Sequence, residues 1–185
     1  FIAGCYFFPL FGGYIADKFL GKFWTIVGFS IPYILGHIVL GIEAMWALVF
    51  ALFLLAMGSG MTKPNISTLM GMTYDQQRPG QDRLRSNAFA IFYMSINIGA
   101  AISSFAMPPI RDQHGYAIAF AFPAVLMAIA FVVFAAGKKY YAVEVIDRTP
   151  KSPEVRKLEW NVLKRLLGLF LLVACFWAIF DQSAS

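Results

Sequence analysis

Lys63, Tyr93, Asn97 and Asp181 are polar side chains set in strongly apolar sequence. The chemistry open to them is ligand binding and proton transfer. Lys63 is followed by Pro64 and Asn65. An ammonium at the centre of a membrane-spanning helix costs roughly 2.5 kcal/mol or more, so such a lysine faces a cavity or a carboxylate, or snorkels to the nearest interface. Pro64 removes one backbone hydrogen bond and bends its helix. Tyr93 and Asn97 are four residues apart and share one helical face. A phenol and an amide placed so can hold a polar ligand in an apolar pocket, or join two helices. Asp181 ends the charge-free run 166–180, within the sequence Phe176-Trp177-Ala178-Ile179-Phe180-Asp181-Gln182. A carboxylate at that depth suits a proton relay. Arg165 lies sixteen residues earlier, about 24 Å along a helix, too far for a direct pair.

The elements that must carry these residues are spanning helices. The chain of 185 residues is 59% hydrophobic and only 14% charged, where a soluble domain carries about a quarter charged residues. Charge-free runs cover 1–16, 23–42, 44–62, 86–110, 115–137 and 166–180. A spanning helix needs roughly 20 residues, and the four inner runs meet that length. The first and last run into the chain ends, as expected of a piece cut from a longer protein. Pro9, Pro32, Pro64, Pro123, Gly28, Gly58, Gly60 and Gly99 fall inside these runs, a pattern that membrane helices tolerate and soluble ones avoid.

The net charge of +5 does not point to nucleic acid, because its distribution alternates. Lys18 and Lys22 lie in the first loop, Arg78, Arg83 and Arg85 in the third, and eight basic residues between Lys138 and Arg165 in the fifth. The intervening loops hold only Arg111. This asymmetry places the basic loops 17–22, 75–85 and 138–165 in the cytoplasm of a cell (plasma or inner) membrane. The outer turn is expected over Pro108, Pro109 and 112–115. Cys5 and Cys175 read as small packing residues, and His37 as a hydrogen-bonded packing residue. No nucleophile–base pair, zinc spacing or phosphate loop is visible in the sequence, so neither an enzyme nor a metal site is expected.

The loop motif Gly13-Tyr14-Ile15-Ala16-Asp17-Lys18-Phe19-Leu20-Gly21-Lys22 offers Asp17 as a cap for the following helix and Gly21 for a tight turn. It resembles the signature between the second and third helices of the major facilitator superfamily. Lys63-Pro64-Asn65, Phe92-Tyr93-x-x-x-Asn97-x-Gly99 and Phe176-Trp177-x-x-Phe180-Asp181-Gln182 resemble three signatures of one of its branches, the proton-dependent oligopeptide transporter family. They occur in the order and on the helices that the family uses, and Phe120-Ala121-Phe122-Pro123-Ala124 is also similar.

The resemblance implies an all-α polytopic fold covering about helices 2–7 of 12 or more. Residues 1–137 would be five helices of the N-terminal half, 138–160 the cytoplasmic connector between halves, and 161–185 the start of the C-terminal half. It implies proton-coupled symport of di- and tripeptides by alternating access, with small peptides, protons and the lipid bilayer as partners, and no cofactor beyond the coupling proton. Tyr6, Lys63, Tyr93, Asn97, Trp177 and Phe180 would form the binding site. Lys63 and Asp181 would take part in proton coupling and gating, and Asp17 in structural gating. The alternatives are a major facilitator transporter of another substrate, such as nitrate or a drug-like anion, and a transporter-like sensor that does not transport.

Overall fold

The computed structural model describes residues 2–146 and 152–183, leaving out the side chains of residues 2, 3, 6, 170, 171, 173–175 and 177–183. All regular structure among the described residues is helical. Helix α1 spans Ile2–Ile15 and runs into a π-helical turn, Ala16–Leu20. Helix α2 spans Lys22–Leu40, α3 Met45–Gln77 and α4 Asp82–Ala136; a short 3₁₀ turn, Gly137–Tyr140, follows. Helix α5, Pro153–Ser183, belongs to a separate unit and is described by itself.

Helix α3 is the centre of the first unit. Ala47, Ala51, Leu54, Leu55, Ala56, Met61 and Leu69 are buried along it, while α1 and α2 each pack against it. The approach is close because the contact positions are small. A Cβ on Gly12 of α1 would stand 2.7 Å from the Met61 Cα, and one on Gly58 of α3 would stand 2.5 Å from the Tyr33 Cβ of α2. In lipid there is no hydrophobic drive between helices, so such close contact of small residues supplies much of the association. The outward faces carry large exposed apolar side chains, among them Leu10, Trp46, Ile102 and Phe105.

Helix α4 is broken at Gly115 (φ 81°, ψ 173°), the one non-helical residue inside it. Its arms run over 82–114 and 116–136, and each exceeds the roughly 20 residues that cross a bilayer. The expected outer turn thus narrows to one residue. Pro108 and Pro109 lie inside the helix, and only glycine takes the positive φ without steric cost. The second arm lies antiparallel along α2. A Cβ on Gly41, past the end of α2, would stand 3.3 Å from the Ala117 Cα, whereas Phe134 stacks on Phe23, near the start of α2, at 5.5 Å. By length and hydropathy, Lys22–Leu40, Met45–Gln77 and the bent Asp82–Tyr140 qualify as spans.

One end of this unit gathers the basic loops. Lys22 meets Glu144, Gln76 meets Val143, and Arg85 meets Asp75. His37 packs its ring 5.3 Å from that of Tyr33. Its buried Nδ1 has no hydrogen-bond partner among the described residues, so the expected bond is not made there at that atom. In the second unit, Ser152 caps α5 by accepting from the Val155 N–H at 3.3 Å. Pro153 and Glu154 then occupy the first turn, where a fixed φ and a negative charge both suit a helix start. The helix therefore begins inside the charged stretch that precedes residue 160.

Candidate functional site

The hairpin of α3 and the first arm of α4 positions three of the candidate residues. At its base a Cβ on Gly71 would stand 3.1 Å from Arg85 Nη2 and 3.6 Å from Phe89 Cζ. The Arg85–Asp75 ion pair, at 3.3 Å, lies one turn below. From that contact each helix runs on away from the base. Lys63 is eight residues beyond Gly71, and Asn97 is eight residues beyond Phe89. Each thus stands about 12 Å from the base. Gly71, Ser67 and Lys63 recur every four residues on α3, and Phe89, Tyr93 and Asn97 do so on α4. Each set forms one slowly turning stripe on its helix.

Lys63 is exposed within a stretch of α3 whose neighbours 58–62 and 65 are buried. It has no hydrogen-bond or ion-pair partner among the described residues. Tyr93 and Asn97 are also exposed. Asn97 donates from Nδ2 to the Tyr93 carbonyl at 2.8 Å, and its side-chain oxygen and the Tyr93 phenol have no hydrogen-bond partner among the described residues. Among the described residues, the interhelical bond open to this pair on sequence is not made. Thr62, next to Lys63, keeps a buried hydroxyl without a hydrogen-bond partner among the described residues.

Asn65, two residues from Lys63, does something else. It is buried and donates from Nδ2 to the Met61 carbonyl at 2.7 Å and, across the helix crossing, to the Gly12 carbonyl at 3.2 Å. The Lys63-Pro64-Asn65 sequence therefore divides its labour: the lysine faces outward and the asparagine binds α1 to α3.

Asp17 does not cap α2. The capping position is Gly21 (φ 78°, ψ 157°), which has no side chain to offer. The acceptor comes from 122 residues away: Glu144 Oε2 takes the Lys22 backbone N–H at 2.5 Å. A carboxylate there also faces the positive end of the helix dipole. The Lys22 ammonium donates to Glu144 Oε1 at 2.5 Å and to Asp17 Oδ1 at 2.8 Å. Lys22 and Glu144 are largely buried, while Asp17 is 66% exposed. Glu144 carried no local signal in the sequence, because its partners are distant along the chain.

The side chains of Tyr6, Trp177, Phe180 and Asp181 lie outside the described residues. Their backbone lies in α1 and α5.

A family model described as the POT family matches residues 23–162. The chain is 32% identical to human solute carrier family 15 member 2, covering 98% of this chain and 31% of that protein. It is 38% identical to Caenorhabditis elegans peptide transporter family 1, covering 98% of this chain and 30% of the relative. Among solved structures it is similar to the POT family transporter PepTSo, with a TM-score of 0.74 and 42% identity over 81% of this chain and 29% of that one. It is also similar to a POT family transporter in complex with a thioalcohol-conjugated peptide, with a TM-score of 0.71 and 28% identity over 92% of this chain and 35% of that one. The chain thus spans about a third of the length of these relatives, and its fold is that of a portion of a POT transporter. The family is one of membrane transporters and not of enzymes. With the family match running over three quarters of its length, this chain belongs to the POT family.

Proposed function

We propose that this chain is the segment of a proton-coupled peptide symporter that supplies one wall of the peptide site. The observation that carries this reading is Lys63 itself, an exposed cation with no side-chain partner among the described residues, set in a stretch of α3 whose neighbours 58–62 and 65 are buried. A di- or tripeptide presents a carboxylate and an amine a short distance apart. Lys63 receives the carboxylate through a charge-assisted hydrogen bond, and Tyr93 and Asn97 bond the peptide backbone. Tyr6, Trp177 and Phe180 wall the site, while Asp181 and Lys63 couple proton movement to opening, with Asp17 at the gating loop. No cofactor is needed beyond the proton. The relatives' names as peptide transporters, and a neighbour's bound peptide conjugate, support the substrate class.

In this reading residues 1–137 belong to the N-terminal half, 138–160 connect the halves, and 161–185 begin the C-terminal half. The protein sits in the cell membrane with loops 17–22, 75–85 and 138–165 in the cytoplasm. Their clustering at one end of the first unit supports that sidedness for the described part. The inward potential adds about 2.3 kcal/mol per charge per 100 mV to uptake.

The test is uptake of a dialanine-type peptide into proteoliposomes by a full-length transporter carrying this segment, under an inward proton gradient. Uphill uptake that a protonophore abolishes, and that Lys63→Ala loses, is the expected result. Folded protein that takes up no peptide under any gradient would overturn the substrate assignment.

A further inference from the structure

The segment after α4 is fastened to α3 and α2 by polar bonds, and to α4 and α2 by ring contacts, that its own sequence does not advertise. The Tyr141 ring stacks on Phe134 at 4.8 Å and lies 6.2 Å from Phe23, which anchors the segment beside α4 and α2. The Ala142 N–H donates to Thr73 Oγ1 at 3.0 Å. Val143 and the Gln76 side chain exchange two hydrogen bonds, both at 2.9 Å. Gln77 Nε2 donates to the Tyr140 carbonyl at 2.7 Å. Glu144 then closes the arrangement by capping α2 and pairing with Lys22, which also holds Asp17 of the π turn. Thr73, Gln76 and Gln77 lie in the last turn and a half of α3, so the side chains of a helix end do for this segment what a neighbouring strand does in a sheet. The Ala142 bond to Thr73 and the Glu144 bonds to Lys22 are part-buried, so releasing them leaves a poorly hydrated donor or acceptor, whereas water can replace the exposed bonds of Gln76 and Gln77.

We infer that residues 137–146 are a permanent clamp, with Glu144 its positioning residue, that makes the inner ends of α2, α3 and the second arm of α4 move as one body. The inference rests on the proposed transport reading for its consequence: a rocking half must turn without shearing internally. A latch that opens each cycle would need few and weak contacts. This segment instead has a bond at each residue from 140 to 144, ring contact or hydrogen bond.

The test uses a full-length transporter carrying this segment, in two arms. In the first, Thr73→Cys and Ala142→Cys are joined by a short bifunctional methanethiosulfonate, with each single cysteine as control. A clamp that never opens leaves uptake within about twofold of the unlinked protein, whereas uptake abolished by the link overturns the inference. In the second, amide exchange at Ala142 and Val143 is followed in Glu144→Ala and in Glu144→Gln, which keeps an acceptor oxygen. Exchange about tenfold faster in the alanine variant, partly restored by glutamine, is expected, and unchanged exchange overturns the inference. Uptake by the alanine variant should lose maximal rate about threefold or more with KM little altered, since no substrate contact is touched. Should the wild type take up no peptide at all, the exchange arm still decides the clamp, and only the transport reading fails.

Discussion

Asn65 donates from Nδ2 to the Gly12 carbonyl at 3.2 Å, a side-chain bond across the crossing of α1 and α3 where a Cβ on Gly12 would meet the Met61 backbone at 2.7 Å. The two features depend on each other. The amide reaches the carbonyl only because the backbones approach this closely, and the approach is possible only because residue 12 has no side chain.

It follows that Gly12→Ala is worse than Asn65→Ala. The first forces the helices apart and costs about 1–3 kcal/mol. The second loses an interhelical bond of the kind worth about 0.6 kcal/mol on average and up to about 1.7. Gly28→Ala is the control, since nothing stands within 4 Å of a Cβ there. Thermal unfolding in detergent of a full-length transporter carrying this segment should rank the midpoints Gly28→Ala, Asn65→Ala, Gly12→Ala from highest to lowest.

Lys63 separates function from stability. With no partner among the described residues, it holds nothing together there, so Lys63→Met should keep the unfolding midpoint within a few degrees of wild type while uptake is lost. A large drop in the midpoint would show that the ammonium has a structural partner and would weaken its assignment to substrate.

Lys22 and Glu144 are a largely buried pair, with side chains 11% and 14% exposed. Removing Lys22 leaves the buried Glu144 carboxylate without its cation at a cost of about 3–5 kcal/mol, whereas removing Glu144 leaves the ammonium its bond to Asp17 at 2.8 Å. Lys22→Met should therefore destabilise more than the double variant with Glu144→Leu, a coupling that a double-mutant cycle in chemical or thermal unfolding measures. Asp17→Asn, at a 66% exposed site, should cost under about 1 kcal/mol.

Gly115 and Gly21 both have positive φ, 81° and 78°. Alanine at either is strained by about 1–3 kcal/mol. Gly21→Ala has a further penalty, because its Cβ would stand 3.0 Å from Glu144 Oε2. Both should lower the yield of folded protein after detergent extraction, with Gly21→Ala the more severe, as size-exclusion profiles would report. Gly99→Ala, in open space, should leave the profile unchanged.

The sequence by itself determined the class of the protein. Long charge-free runs can be satisfied only as spanning helices, since lipid offers backbone groups no other partner. The alternating basic loops follow from the same physics, and the structure brings those in the first unit to one end. The motif around Lys63, Tyr93 and Asn97 was legible because helical spacing is local: residues four apart share a face whatever else the chain does. Sequence spacing could not say which member of Lys63-Pro64-Asn65 faces outward, because that depends on where α1 crosses α3. Nor could it replace Asp17 with Glu144 as the cap of α2. The cap needs only an acceptor at the right point in space, and a separation of 122 positions along the chain leaves no trace of that meeting in either neighbourhood. The same holds for Thr73, Gln76 and Gln77, ordinary polar residues at a helix end until the segment from Tyr140 to Glu144 folds back over them. Periodicity and composition act along the chain and can be read from it; packing and hydrogen-bond satisfaction act across it and were settled only when the helices came together.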